Sequence, residues 1–323
     1  MTVSRVVNRS GYASPATRAR VEVAVAELGY VPNAVARHLR SKRTKTIALV
    51  MSDITNPFFT TIARGVEDAA SPHGYAVMFA NTDESESEEI EYLRMLAQRQ
   101  IDGVLLVPAG NSAAPFRLLR AQEIPVVVLD RRVARAVDQV RCDSEAGAYE
   151  LVHHLIELGH KRIAVITGRR NISTSTDRVT GYERALQDAG LPLVPSLVTY
   201  DSFSLEGGYR QVRHILEESP RPTAIFATNN FLAFGAMRAL REANLRIPDD
   251  FSVVTFDDLP AEWHDDPFIT VLSQPAYELG RRATEVLLSR LEGGARPKRQ
   301  VIVLPGELII RRSSGPAPAA SPV

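Results

Sequence analysis

Between residues 46 and 258 the chain repeats one pattern: a short run that is apolar on both faces, then a stretch with helical periodicity. The runs are TIALVMSD, YAVMFANTD, DGVLLVPA, PVVVLD, RIAVITG, TAIFATN and FSVVTFDD. A strand apolar on both faces must be covered on both, the situation of parallel strands flanked by helices. Amphipathic stretches lie between the runs, such as 86–100 and 144–159, the second closed by Gly159. The alternation predicts an α/β architecture of doubly wound parallel sheets. Seven such runs are too many for one comfortable sheet, and two Rossmann-like lobes fit better. No glycine-rich dinucleotide fingerprint opens any of the helices, which argues against a nicotinamide cofactor.

In such sheets ligands sit beyond the carboxyl ends of the strands. Asp53 to Phe59 follow the first run, Asp130 and Arg131 the fourth, and the loop 168–178 the fifth. Asn229 and Asn230 follow the sixth, and Asp257 the seventh. Aspartate, asparagine and arginine with flanking aromatics suit a small polar ligand, with hydrogen bonds to hydroxyls or a carboxylate and a ring to stack on. Taken singly, each is equally a helix cap or a turn residue. Their recurrence at strand ends favours a shared ligand.

Catalysis is not expected. No G-x-S-x-G elbow is present. The adjacent His153 and His154 point about 100° apart on a helix, share a metal ion poorly, and read as a solvated helix face. His264, beside Asp265 and Asp266, has no partner histidine at ligand spacing. Neither a metal nor a cofactor is therefore expected. The single cysteine, Cys142, excludes a disulfide framework within the chain and reads as a small buried hydrophobe in a reducing compartment. No apolar run approaches the ~20 residues of a membrane span and no signal peptide leads the chain, so a cytoplasmic protein is expected.

The net charge of zero hides an asymmetry: residues 1–45 hold nine Arg or Lys against two acids. A basic head on an acidic body is a footprint for a polyanion, most often nucleic acid. Within that head, Val3, Val6 and Val7 share one helical face while Thr2, Ser4, Arg5 and Asn8 occupy the polar remainder. Ser14 then offers an N-cap and Pro15 a first helical residue. Val21, Ala24, Val25 and Leu28 form an apolar stripe, and Gly29 stands where a C′ glycine belongs. A second helical stretch, NAVARHLRS at 33–41, sets Leu39 among Arg37, Arg40, Lys42 and Arg43. A leucine in that company suits a wedge between base steps, with the basic side chains on flanking phosphates.

TVSRVVN, SPATRARVEVAVAELGYVPNAVARHLRS and TKTIALVMSDITNPFF resemble the headpiece, hinge helix and first core strand of LacI-type (lactose-repressor-like) transcription regulators. The resemblance continues through LSQPAYELGRRATEVLLSRLEG and VIVLPGELIIRRSS. It implies a periplasmic-binding-protein-like core of two Rossmann-like lobes joined by three crossovers, behind a small all-α helix-turn-helix headpiece. The headpiece would span 1–45, with its hinge helix at 33–41. The core would span 46–315: a first lobe of about 46–142 and 275–301, a second of about 143–274 and 302–315, then a disordered tail at 316–323. DNA contacts would come from Thr2, Ser4 and Arg5, backbone contacts from Asn8, Ser14, Thr17 and Asn33, and a minor-groove wedge from Leu39. Arg5 is able to make a bidentate pair to guanine.

The implied effector contacts are Phe58, Phe59, Asp130, Arg131, Thr174, Arg178, Phe203, Asn229 and Asp257. Arg178 in RVTGY and Asp257 in FDD are the clearest matches, while Asn230 replaces the aspartate common in the TND pattern. A sugar or sugar derivative is the implied effector. The family's first helix and turn would lie before Met1, either because the start is assigned late or because the head is shortened. The polar DNA face that remains favours the late start, and the chain as written is expected to bind DNA more weakly than its family. The expected function is a sequence-specific repressor, a homodimer or higher oligomer, on double-stranded operator DNA under effector control. The alternative is a cytoplasmic small-molecule sensor that has lost specific DNA reading through truncation.

Overall fold

The computed structural model describes residues 3, 6, 12–29, 43–260, 266–293 and 298–318. The chain divides into two units, Met1–Thr44 and Lys45–Val323.

In the first unit Val3 and Val6 are helical, and α1 spans Pro15–Glu27. Ser14 is extended, and its Oγ accepts a hydrogen bond from the Thr17 amide at 3.3 Å, satisfying one of the free N–H groups at the helix start. Gly29 ends the helix at φ 56°, a left-handed conformation open to glycine. Of the apolar stripe, Val21 and Val25 are half-buried and Leu28 is 80% exposed, and with Val3 they line an apolar groove. Thr2, Ser4, Arg5, Asn8, Asn33, Leu39 and the hinge helix at 33–41 lie outside the described residues.

The core holds two six-stranded sheets, one per lobe. The first lobe contains β1 (Thr46–Met51), β2 (Ala76–Asn81), β3 (Gly103–Leu106), β4 (Val126–Leu129), β5 (Asp138–Cys142) and β11 (Val301–Leu304), in the order β11-β5-β4-β3-β1-β2. All its pairings are parallel. Its helices are α2 (Pro57–Ala70), α3 (Glu86–Gln98), α4 (Ala114–Ala121) and α9 (Ala276–Leu291). Strand β1 shows why the run had to be apolar throughout. Ile47, Leu49 and Met51 enter the core under α2 and α9, and Ala48 and Val50 the core under α3 and α4. Each large aliphatic side chain so buried contributes about 1.5–3 kcal/mol. Helix α9 lies so close on α2 that a Cβ on Gly65 would stand 2.1 Å from the Tyr277 carbonyl oxygen, and one on Gly280 would stand 2.2 Å from that of Ile62.

The second lobe contains β6 (Ile163–Thr167), β7 (Val198–Tyr200), β8 (Ala224–Ala227), β9 (Ser252–Phe256), β10 (Thr270–Ser273) and β12 (Glu307–Ile309), in the order β12-β10-β9-β8-β6-β7. Only β12 is antiparallel to its neighbour. Its helices are α5 (Ser144–Glu157), α6 (Ser173–Asp188), α7 (Leu205–Ile215) and α8 (Asn230–Glu242).

The chain crosses between lobes three times: after β5, between β10 and α9, and between β11 and β12. The third crossing follows Leu304 rather than the expected 301, because the whole of β11 pairs with β5. The expected disordered tail is placed as far as residue 318, with the Ala317 amide donating to the Leu158 carbonyl at 2.8 Å. His153 is exposed beside Glu157, but His154 departs from the expected solvated face. It is buried, and its Nε2 is 2.9 Å from the Ser314 Oγ. Cys142 is buried at the end of β5, and burial pushes its thiol up to about 12. No helix among the described residues is long and apolar enough to cross a membrane.

Candidate ligand-binding cleft

The carboxyl ends of both sheets open onto one cavity of about 170 Å³. From the first lobe, Asn56 caps α2 through its Oδ1, which accepts from the Phe58 amide at 3.0 Å. The first turn of that helix delivers Phe58 and Phe59, whose rings meet edge-to-face at 5.2 Å. Asp130 follows β4 at φ 63°, a left-handed conformation in which aspartate is among the few tolerated residues. Its neighbour Arg131 has its guanidinium anchored away from bulk water: Nη1 donates to the Pro108 carbonyl at 2.5 Å and Nη2 to Glu84.

From the second lobe, Thr174 and Arg178 project from the first turns of α6. The Arg178 guanidinium lies 3.9 Å over the Phe256 ring and donates to the Thr228 carbonyl. Asn229 caps α8, accepting from the Leu232 amide at 2.9 Å. Phe203 packs on Gly168 so closely that a Cβ there would meet its ring at 2.2 Å. Asp257 follows β9 at φ 70°, and its Oδ1 accepts from Gln274 Nε2 at 2.5 Å.

All nine residues expected at the ligand, Phe58, Phe59, Asp130, Arg131, Thr174, Arg178, Phe203, Asn229 and Asp257, line this one cavity. Asn230 does not. Its side chain exchanges two hydrogen bonds with Asn56 across the lobes, at 3.0 and 3.1 Å, both residues being buried. Residues that strand-end reasoning left unnamed also line the cavity, among them Asp83 and Glu84 after β2 and Ser202 and Ser204 after β7. The NTDES that closes the YAVMFANTD run was the available signal for the first pair.

Burial holds both strand-end carboxyls above the usual range. Asp257 is pushed up to about 6, against the opposing pull of Arg178 and Gln274. Asp130 is raised for the same reason, opposed by Arg131 and Arg178. Such carboxylates are short of donors, and hydroxyls of a ligand would supply them. The cavity's five carboxylates outnumber its three guanidiniums, which disfavours an anionic occupant. Among the described residues no His, Cys, Asp and Glu cluster is arranged to hold a metal ion.

Residues 44–308 match the family model described as periplasmic binding proteins and sugar binding domain of LacI family, and residues 1–33 match that of bacterial regulatory proteins, lacI family. The chain belongs to the LacI family. Its relatives include the HTH-type transcriptional regulator DegA of Bacillus subtilis, 34% identical over 319 residues that make up 98% of this chain and 94% of DegA. The ribose operon repressor of Halalkalibacterium halodurans is 38% identical over 291 residues, 90% of this chain and 86% of the repressor. Among solved structures, the transcriptional regulator CelR in complex with cellobiose matches with a TM-score of 0.78 at 33% identity, covering 96% of this chain and 94% of CelR. Like its LacI-family relatives, which are regulators rather than enzymes, the chain is a DNA-binding transcriptional regulator with a periplasmic-binding-protein-like core.

Proposed function

We propose that this regulator is a cytoplasmic, homodimeric repressor whose operator affinity is set by a neutral monosaccharide held between the two lobes. The observation that carries the reading is the pair of donor-poor aspartates, Asp130 and Asp257, brought from different lobes to one small cavity with Arg178. Sugar hydroxyls donate to the two carboxylates and accept from Arg178 and Asn229, while the phenylalanine rings cover the apolar faces of the sugar. The volume lies below the ~300–1,000 Å³ usual for drug-sized ligands, which favours one ring over two. The ribose and cellobiose named for the relatives support a carbohydrate.

Ligand that touches both lobes biases their closure, and closure moves the paired heads. Coupling of about 1–3 kcal/mol is enough for a 5- to 150-fold change in operator affinity. At the DNA, Thr2, Ser4 and Arg5 read the major groove, and Asn8, Ser14, Thr17 and Asn33 fix the register on phosphates. Leu39 wedges the minor groove. Two heads related by a twofold axis match a pseudo-palindromic site.

The test is anisotropy titration of labelled DNA from the region upstream of the protein's own gene, at two salt concentrations, with and without each of a panel of monosaccharides. Sequence-selective binding that one sugar shifts at least about fivefold is the expected result. Asp257→Ala should move that shift to about tenfold higher sugar concentration without changing the sugar-free affinity, and Leu39→Ala should weaken DNA binding while leaving the sugar response in place. Steeply salt-dependent binding that ignores both sequence and sugar would leave only a sensor with a basic head.

A further inference from the structure

Beside the cleft, on the other flank of the first turn of α6, lies a second cavity of about 250 Å³ with the opposite electrical character. Its lining includes Arg132 and Arg135 from the first-lobe loop between β4 and β5, and Arg170, Ser173 and Thr176 from the second lobe. Among the described residues no carboxylate lines it.

Arg132 is neutralised by Asp177, 2.7 Å from Nη2 to Oδ1. The other two arginines are oriented without being neutralised. The Arg135 guanidinium stands over the Phe116 ring at 5.4 Å and donates to the Asn111 carbonyl at 3.3 Å. The Arg170 guanidinium lies on the Tyr200 ring at 4.0 Å. Among the described residues, neither makes an ion pair with a carboxylate. A ring face steers a planar guanidinium but leaves its charge and most of its N–H donors for another partner. The sixteen-residue helix α6 adds to the field. Ile172 stands at its N-cap and has no side-chain oxygen, so the positive end of the helix is not closed by a side chain.

We propose that this cavity binds a small phosphate-bearing anion, held by Arg135 of the first lobe and Arg170 of the second. Two guanidinium forks and a helix N-terminus suit the several oxygens of a phosphate better than the two of a carboxylate. The adjacent cleft, rich in carboxylates, repels the same ligand. The two cavities therefore sort their ligands by charge. An anion held from both lobes also favours their closed arrangement and strengthens binding of the neutral ligand in the cleft.

The experiment is calorimetric titration of the full chain with inorganic phosphate, at constant ionic strength kept with sodium chloride. Saturable binding is expected. It should weaken at least about tenfold in the double variant Arg135→Gln/Arg170→Gln, as expected for the loss of charge-assisted hydrogen bonds, and be unchanged in Asp130→Ala. Circular dichroism checks that the variants fold, and Arg170→Gln alone, in an exposed loop, repeats the test with the smallest disturbance. Absence of saturable binding, or equal affinity in the double variant, overturns the site. Tighter phosphate binding in Asp130→Ala places the anion in the cleft, beside a carboxylate that repels it, and overturns the site as well. Direct phosphate binding is read without any sugar, so its failure is separate from failure of the sugar reading. Monosaccharide affinity is then measured with phosphate present. A gain seen in the parent and absent from the double variant supports the bridging, and no gain in the parent removes it.

Discussion

Asp130 and Asp257 occupy the same place in their two lobes. Each follows the fourth strand of its sheet, each turns through a left-handed backbone conformation, and each is 6% exposed. Their surroundings differ. Asp257 has one oxygen committed to Gln274, whereas Asp130 Oδ1 has no hydrogen-bond partner among the described residues and its Oδ2 lies 3.8 Å from Arg131 Nε. One backbone plan thus presents two carboxylates with unequal spare capacity. Position in the fold decides where an acceptor stands; the neighbouring side chains decide how much of it is left for a ligand.

The largest expected effect breaks this comparison directly. Asp130→Ala should weaken the monosaccharide about 100-fold and Asp257→Ala about tenfold, because the second carboxylate already spends one oxygen inside the protein. Calorimetric titration of the two variants measures the ratio, and equal losses would mean that the inequality has no bearing on binding.

The next effect is on stability. The folded-state value of Asp257, about 6, lies above its ordinary 3.8, so between those values the folded protein holds a proton that the unfolded chain has released. The contribution of Asp257 to stability is therefore greatest below about 4, falls as pH rises towards 6, and then levels. Asp257→Asn keeps the acceptor for Gln274 and removes the titration. Its Tm should exceed the parent's by roughly 2–4 °C at pH 7, with the difference vanishing near pH 4. A constant difference across that range would count against the carboxyl as its cause.

The smallest effect concerns the seam between the lobes. Asn230→Ala deletes both hydrogen bonds to Asn56 and should lower monosaccharide affinity about threefold to fivefold without altering the cavity lining. An unchanged affinity would show that the amide pair does not contribute to closure.

The central strands were legible because their burial on both faces imposes an apolar run. The runs at β1, β3, β4, β6, β8 and β9 announce themselves for that reason. The strands without such a run are β5, where Asp138, Gln139 and Arg141 interrupt the apolar residues, the four-residue β10, β11, whose Val301 and Val303 are exposed, and β7 and β12, three residues each. Missing β7 also meant missing Ser202 and Ser204, since a strand-end rule needs the strand. For eight of the nine cleft residues the strand-end rule and the family pattern point to the same loops, whereas Phe203, after β7, came from the family pattern alone. Asn230 shows the limit of that reasoning. Its neighbour Asn229 caps the helix and faces the cavity, while Asn230 reaches across to the other lobe, and only the fold tells them apart. In α1 the caps Ser14 and Gly29 mark the helix from sequence, but the stripe from Val21 to Leu28 says only that something apolar suits it.

The three passages of the chain between lobes limit more than topology. Two bodies joined by a single tether can swivel and twist in many directions, and each ligand could then produce its own geometry. With three tethers, most of those freedoms are lost, and opening or closing remains as the easy coordinate. Ligands of different shape would then differ in how far they drive one movement, so the signal reaching the DNA is graded along a single scale.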